Sequence, residues 1–595
     1  MLFHSSIKLG SEQAPDLGQL WNLQMASIQK KWIELITADF TETPVLTAAL
    51  GVNRVLANLM IHRGVRSFDE AKDFFRPELR HLHDPFLMKD MAVAVSRIEK
   101  AISEEEKMAI YGDYDVDGTT AVALVFSFFR RIYSKLDFYV PDRHKEGYGI
   151  SRTGIDWAAE KGYTLIIALD CGIKAIDEVA YAHSKGIDFI IGDHHMPGEE
   201  LPGAIAVLDP KRKDCFYPYD ELSGCGIGFK LVQAFAMRNH FEESTYYRYL
   251  DLVAVSVAAD IIPLTGENRI MAHYGLKKLN SDPCFGLEAL IKLTGREGPW
   301  TTEDIVFQIG PRINAAGRIE HAKDAVHLLI SHSPEEATRR CAGIDLYNIE
   351  RKSHDLRITG EALAMIESDH ELMDRKTTVV YQHDWHKGVI GIVASRLTEK
   401  YYRPTIVLTR SNNVVTGSAR SVRGFDLYAA LNACGDLFVQ FGGHKYAAGL
   451  TMKEENVVAL QERFEHVVSS SIPPELLVPE IRIDHELHLS EITAKFFRIL
   501  RQFAPFGPAN HAPVFLSKGV RVLGSPSLVG EKHLRVAICQ EDSPVFNCIG
   551  FGMAEYLPLV GRGVPLDLCY CIEENVWRDN RSIQLNLKGI RASKV

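Results

Sequence analysis

Long apolar runs are missing from this sequence. Nowhere among its 595 residues do about 18 apolar residues follow one another, the length that a membrane-spanning helix requires. The opening MLFHSSIKLGSEQAPDLG lacks the apolar stretch of a secretory signal. Cysteine is sparse: ten are scattered along the chain, and the nearest pair, Cys569 and Cys571, has no CxxC partner. A zinc site or a disulfide framework is therefore not expected, and a reducing compartment is. A surplus of positive charge is also absent, the formal net charge being −10. Any nucleic-acid partner must then be held by local basic patches rather than by the whole surface. These absences lead to the expectation of a cytoplasmic protein with no membrane partner.

What is present has the balance of a globular protein, with 46% hydrophobic and 24% charged residues. A chain this long exceeds one hydrophobic core, so roughly three to four domains are expected. The most informative stretch is Met108–Arg130, MAIYGDYDVDGTTAVALVFSFFR. It reads as a short strand, an acidic loop and a helix opening near Thr119. Asp113, Asp115 and Asp117 alternate along that loop. Carboxylates so close repel one another and would lose charge unless a cation neutralised them. A calcium loop of the EF-hand type needs a glutamate at its twelfth position, where this chain has Leu124. A simple helix-capping turn needs one aspartate rather than three.

Upstream, residues 1–45 are weakly patterned, with a helix expected near Leu20–Ile36, and Leu46–Ile102 reads as a helical lead-in. Strands and helices then alternate. Met108–Tyr111, Thr164–Leu169, Phe189–Gly192 and Ile205–Leu208 are short apolar runs of the kind found in a buried parallel sheet, with amphipathic helices such as Ala175–Lys185 between them. In such sheets ligands gather beyond the carboxyl ends of the strands. Here the strands run into Asp113, Asp170, Asp193 and Asp209. Asp193 is followed by His194 and His195, so one strand end offers a carboxylate and two imidazoles. Asp260 closes the apolar run LDLVAVSVAAD, where a charge must be paired or metal-bound. The plainer alternative makes Asp260 an N-cap for the next segment.

GDYDVDG, ALDCG, GDHH and VAAD, in this order, resemble the four motifs of the DHH phosphoesterase superfamily. PDRHKEGYG (Pro141–Gly149) and IGPRINAAGR (Ile309–Arg318) narrow the resemblance to its bacterial single-strand-specific exonucleases, over about residues 46–595. Where pyrophosphatase members of the superfamily carry a histidine, this chain has Tyr111, and Asp113 is the expected substitute. The resemblance implies an α/β fold: a parallel-sheet DHH domain and a DHHA1 domain joined by a long helix, plus a C-terminal β-barrel of the OB type. The expected partition is 1–45, a lead-in and catalytic domain over 46–301, a helical connector over 302–375 with one long helix at Pro334–Glu371, a DHHA1 domain over 376–471, and the barrel over 472–595.

Within the second lobe, Gly417-Ser418-Ala419-Arg420 offers backbone amides, a hydroxyl and a guanidinium, a set that suits a phosphate. Gly442-Gly443-His444 permits close approach of a ligand, although glycines with one histidine also make a plain tight turn. The last segment alternates short strands, such as Arg535–Cys539, Val545–Gly550 and Ser582–Leu587, with turns. Trp577, Arg578, Arg581 and Lys588 mix aromatic and basic character there, as expected for single-strand binding, although a plain structural β-module would also show them.

The resemblance further implies two divalent cations, Mn²⁺ or Mg²⁺. Asp115 and Asp117 would each face one, Asp170 would bridge them, and His194 and Asp260 would complete the second; Asp193 would orient His194, and His195 would act on the phosphate or on a proton. Arg143, Arg312, Ser418, Arg420, Gly442, Gly443 and His444 would bind DNA or its 5′-phosphate. The implied activity is 5′-to-3′ degradation of single-stranded DNA to mononucleotides in recombination and repair. A monomer working with a helicase and a single-strand-binding protein is expected. Three rivals stand beside it. A small-substrate phosphodiesterase would lack the C-terminal module, an inactive scaffold would show degenerate acidic motifs, and a pure single-strand binder would leave the carboxylates unexplained.

Overall fold

The computed structural model describes residues 30–35, 41–411, 413–577 and 580–593. The helix expected near Leu20–Ile36 lies mostly outside the described residues; its described part, Lys31–Glu34, is a strand paired with Glu480–Ile483. A partner more than 400 residues away decides the conformation of that segment. Two compact units emerge, one of residues 32–352 and 481–595, the other chiefly of residues 353–480. No single described helix is long and apolar enough to cross a membrane.

The larger unit is organised on five parallel strands, β1 (Lys107–Gly112), β2 (Leu136–Tyr139), β3 (Tyr163–Leu169), β4 (Asp188–Gly192) and β5 (Ala206–Leu208), in the order β2-β1-β3-β4-β5. Alternation along β1 and β3 feeds two cores. Met108, Ile110, Leu165 and Ile167 face one side, and Ala109, Tyr111, Ile166 and Ala168 face the other. Helices α1 (Val116–Arg130), α2 (Gly224–Arg238) and α3 (Leu250–Ala259) cover the first side. Each buried Leu, Ile or Val there stabilises by roughly 1.5–3 kcal/mol. Strand β2 has no counterpart among the expected strands, because LDFY is half-buried and interrupted by Asp137. Strand order reverses between β1 and β3, and such a switch point opens a crevice beyond the strand ends.

The lead-in divides. Met91, Val95 and Ile98 pack on the parallel sheet, whereas Leu46, Leu56, Leu59 and Met60 share a core with Phe496, Phe515, Val536 and Leu585 near the C-terminus. Helix α4 (Gly310–Ile319) follows a single π-helical turn, Ile305–Ile309. Helix α5 spans Pro334–Ser368 and ends where Asp369 caps a separate short helix, His370–Asp374.

The smaller unit holds β6 (Thr378–Tyr381), helix α6 (Ile390–Tyr401), β7 (Thr405–Ser411), β8 (Val414–Arg420), β9 (Phe438–His444) and β10 (Ala447–Met452). The sheet order is β9-β10-β8-β7-β6, with only β6 and β7 parallel. In the C-terminal segment, β11 (Phe515–Val529), β12 (His533–Cys539), β13 (Phe546–Gly550), β14 (Leu566–Trp577) and β15 (Asn580–Ala592) form a ring, because β11 pairs with both β12 and β14. Closure removes free sheet edges, as in a small OB-type barrel. Arg578 lies outside the described residues.

Candidate active site

The acidic loop after β1 is held by the helix it opens. Asp115 caps α1, its Oδ1 accepting from the Gly118 amide at 3.0 Å, so the helix begins at Val116 rather than near Thr119. A Cβ on Gly118 would lie 2.4 Å from the Asp113 carbonyl oxygen and 2.6 Å from its nitrogen. The loop therefore folds tightly over the first helical turn, and no side chain fits at residue 118. Asp117 points from that turn into a cradle: the amides of Gly224 (2.7 Å) and Cys225 (2.8 Å) and the Ser256 hydroxyl (2.7 Å) donate to it. The N-terminus of α2 is thus aimed at a carboxylate, as its dipole favours.

Asp170 follows β3 directly, in the left-handed region at φ 60°. Asp260 ends α3, and Thr265 precedes the next helix, Gly266–Leu279, as its N-terminal boundary residue. The N-cap alternative for Asp260 is thereby excluded. His194 Nε2 lies 3.1 Å from Asp170 Oδ1 and 3.6 Å from both Asp117 Oδ2 and Asp260 Oδ2. Three overlapping groups have ligating atoms within 4.8 Å of one another: Asp113, Asp115 and Asp170; Asp117, His194 and Asp260; and Asp170, His194 and His195. Asp170 belongs to two of them. Asp193 grips the His195 ring, Oδ1 to Nδ1 at 2.7 Å, and takes the amides of His194 (2.8 Å) and Ile173 (2.9 Å). It therefore touches His194 through the main chain, and the imidazole that it orients is that of His195. Tyr111 turns away from the cluster: its hydroxyl donates to the Gly149 carbonyl at 3.0 Å and its ring stacks on Tyr139.

The electrostatics call for cations. Burial, followed by repulsion from neighbouring carboxylates, raises the pKa values of Asp113, Asp115 and Asp170, and lifts Asp260 to about 8. Asp113 Oδ1 is buried without a hydrogen-bond partner, a costly arrangement for a polar atom. Burial alone would raise Asp193 too, but its bond to His195 and that ring's charge bring it down to about 2. Burial lowers His194; for His195 the same burial is outweighed by Asp193, and its pKa rises. Hard carboxylate oxygens joined by one or two imidazoles suit Mn²⁺ or Mg²⁺. The residues present fit two such ions. Asp209, at the end of β5, is fully buried with Oδ2 unpartnered, and burial lifts its pKa to about 7.

Of the expected phosphate-binding residues, Arg143 is brought to the acidic loop, its guanidinium stacked 4.8 Å from the Tyr114 ring centre. Arg312 is directed instead to α5, where its Nε lies 3.5 Å from Asp345, and to the Gln308 carbonyl. Ser418 and Arg420 lie side by side on β8, with Arg420 Nη1 donating to Ser418 Oγ at 2.9 Å. The expectation of backbone amides at this site is corrected. Strand β8 is paired on both edges, by β7 and β10, so its amides serve the sheet and only side chains project. Gly391, in the first turn of α6, approaches this pair, since a Cβ there would lie 3.0 Å from Ser418 Oγ. Gly443 has φ 153°, and a Cβ on it would meet the Ala447 carbonyl at 2.4 Å. Its close approach is to its own hairpin partner. A Cβ on Gly442 would meet nothing within 4 Å, and His444 is exposed beside it.

Sequence reasoning missed the Asp117 cradle. Ser223-Gly224-Cys225 reads as an ordinary helix start, and only the fold directs it at a carboxylate 107 residues earlier.

Comparison with known proteins adds to this geometry. The chain matches the DHH family N-terminal domain over residues 107–257, the DHHA1 domain over 374–470 and the RecJ OB domain over 483–589. It is 37% identical to the single-stranded-DNA-specific exonuclease RecJ of Bacillus subtilis over 96% of this chain and 72% of that protein. With the Escherichia coli protein of the same name it shares 32% identity, over 94% of this chain and 99% of the relative. The crystal structure of RecJ from Thermus thermophilus in complex with Mn²⁺ superimposes with a TM-score of 0.81 at 26% identity, covering 95% of this chain and 80% of the other.

Proposed function

Because this chain belongs to the RecJ family of single-stranded-DNA-specific exonucleases, we propose that it degrades single-stranded DNA from the 5′ end to mononucleotides, in recombination and repair. The observation that carries the reading is the convergence of Asp113, Asp115, Asp117, Asp170, His194 and Asp260 at the switch point. Asp113, Asp115 and Asp170 would hold one divalent cation; Asp117, His194 and Asp260 would hold the second, with Asp170 reaching both. Crystal structures of the Thermus thermophilus relative in complex with Mn²⁺ and with Mg²⁺ support the choice of these ions. When bound, the two ions supply Lewis acidity, neutralising the phosphate and easing deprotonation of the attacking water.

The chain's own residues do the remainder. Asp193 fixes His195 through Nδ1, which leaves Nε2 for proton transfer. Water adds to phosphorus, the bond from phosphorus to the 3′ oxygen breaks, and the released nucleotide keeps its 5′-phosphate. The shortened strand begins with a new 5′-phosphate, and the cycle repeats. Ser418 and Arg420 would grip that terminal phosphate, the guanidinium offering two parallel donors. Arg143, stacked on Tyr114, would neutralise the strand beside the acidic loop.

The protein would work as a cytoplasmic monomer, with a helicase opening duplex DNA and a single-strand-binding protein covering the product strand. Single-stranded DNA labelled at its 5′ end is the decisive substrate. Labelled mononucleotide should appear in Mn²⁺ and not in chelator, and a 3′-labelled strand should shorten without early release of its label. Early release from the 3′ label would refute the polarity.

A further inference from the structure

We propose that Ser256, with Ser223 behind it, restricts Asp117 to ligation through one oxygen, and so biases the second cation site towards Mn²⁺ or Mg²⁺ and against Ca²⁺. Ser256 is then a positioning residue that acts through Asp117. This inference rests on the two-cation assignment and deepens it by naming what selects the ion.

Within α3 this serine is an exception. Beyond Asp251 in the first turn, Ser256 is the only polar side chain of the helix, and it is fully buried. A serine inside a helix commonly bonds back to the carbonyl one turn earlier. Here the hydroxyl lies 2.7 Å from Asp117 Oδ1 and 2.7 Å from Ser223 Oγ. It owns one proton, and a ligating carboxylate, which must be deprotonated, can only accept. Ser256 therefore donates to Asp117 and accepts from Ser223. Ser223 is held in turn, because its Oγ accepts from the Gly226 amide at 2.9 Å as the cap of α2. The donors thus run in one direction, from Ser223 to Ser256 to Asp117.

Counting lone pairs gives the consequence. A carboxylate offers about four, two on each oxygen. Asp117 Oδ1 takes the Ser256 hydroxyl and the Cys225 amide (2.8 Å), and so is full. Oδ2 takes the Gly224 amide (2.7 Å), and it is the oxygen 3.6 Å from His194 Nε2. One lone pair is left, on the oxygen nearer the other ligands. The amides cannot drift away, since α2 begins so close to Asp170 that a Cβ on Gly224 would lie 2.5 Å from the Asp170 Cβ. Asp113 differs: its Oδ1 is buried with no donor, so the other ligand set leaves the mode of ligation open. Ca²⁺ takes about six to eight oxygens and accepts bidentate carboxylates, whereas Mg²⁺ demands a near-ideal octahedron, which Mn²⁺ also adopts. A carboxylate with one free lone pair serves the smaller ions.

The test uses the full chain, freed of metal and reloaded with Mn²⁺ alone. Free aqueous Mn²⁺ gives a sharp electron paramagnetic resonance signal that bound Mn²⁺ does not, so bound ions are counted without turnover. With both sites saturated, Ca²⁺ is titrated in and the release of each Mn²⁺ is followed. Each midpoint reports the ratio of the two affinities at its own site. Ser256→Ala removes one oxygen from an otherwise apolar helix, and a melt in chelator should show the fold intact. One of its two midpoints should fall about tenfold, the lower end of what a partner behind a metal ligand contributes. Ser256→Thr keeps the hydroxyl and should stay within about twofold of wild type. General loosening of the site weakens both ions alike and leaves the midpoints in place. Midpoints within about twofold of wild type in Ser256→Ala, or an equal fall in Ser256→Thr, would overturn the proposal. A wild-type chain that binds no Mn²⁺ would overturn the two-cation reading as well; one that binds two, beside unmoved midpoints in Ser256→Ala, would sink only the role of Ser256.

Discussion

The two sheets of this protein present their chemistry in opposite ways. In the parallel sheet, Asp113, Asp170 and His194 lie beyond the strand ends, and the strands beneath them are held by apolar packing on both faces. In the mixed sheet, Ser418 and Arg420 sit within β8, whose main chain is paired on both sides. The first arrangement frees the loops to concentrate like charges at the cost of repulsion. The second fixes two side chains on a rigid ladder and gives no amide to the ligand. Function at the first site should be sensitive to charge and loop position while the fold tolerates change; the second should be sensitive to side-chain shape.

The largest expected effect is that of Asp170→Ala. Removing one group that stabilises charge at a reacting centre costs ~10²–10³ in rate, so nuclease activity in Mn²⁺ should fall at least about a hundredfold. The melt in chelator should stay level or rise, because one repelling carboxylate has gone. A variant that unfolds early in chelator would show that the loops support the fold after all.

Gly118→Ala tests loop position at constant charge. The added methyl meets the Asp113 main chain, and a displacement of about 1 Å at a reacting centre can cost ~10² in rate. Steady-state kinetics with all the carboxylates intact would reveal it. Near-normal kcat/KM would mean that the carboxylates tolerate loose placement.

For the second sheet, Arg420→Lys keeps the charge and loses the planar fork. The preference in kcat/KM for 5′-phosphorylated over 5′-hydroxyl strands should fall about tenfold, equivalent to ~1.4 kcal/mol. Measurement at fixed salt is needed, because backbone contacts are salt-sensitive. An equal loss on both substrates would make Arg420 a follower of the backbone instead.

The smallest effect concerns pH. Asp260 titrates at about 8 in the folded, cation-free chain against an ordinary value of 3.8. The folded state then holds a proton that the unfolded chain releases, so stability in chelator should decline as pH rises from about 4 to about 8. Asp113, Asp115 and Asp170 push the same way. Mn²⁺ should therefore raise Tm more at pH 8 than at pH 5.5, by about 2–4 °C. A cation-induced shift independent of pH would show that these carboxylates are already ionised in the cation-free protein.

The gathering of aspartates beyond the strand ends was legible in the sequence because apolar strands and the carboxylates that end them are local features. Unbroken apolar runs mark β1, β3 and β4, which are buried on both faces, and the carboxylates follow where each run stops. The same locality explains Asp260, whose helix is apolar all round. What the tertiary structure decided lies in contacts between distant residues. Ser256 reaches Asp117 across 139 positions and Gly224 across 107, and no periodicity encodes such pairs. Strand β2 escaped notice because Asp137 breaks its short run, and Lys31–Glu34 became a strand only by pairing with Glu480–Ile483. Helices near Leu46 and Leu56 took the barrel as their core partner, since an apolar face specifies burial but not against what. The sequence could place a serine and an arginine two residues apart on one segment; only the fold could show that the amides between them were already committed to the sheet.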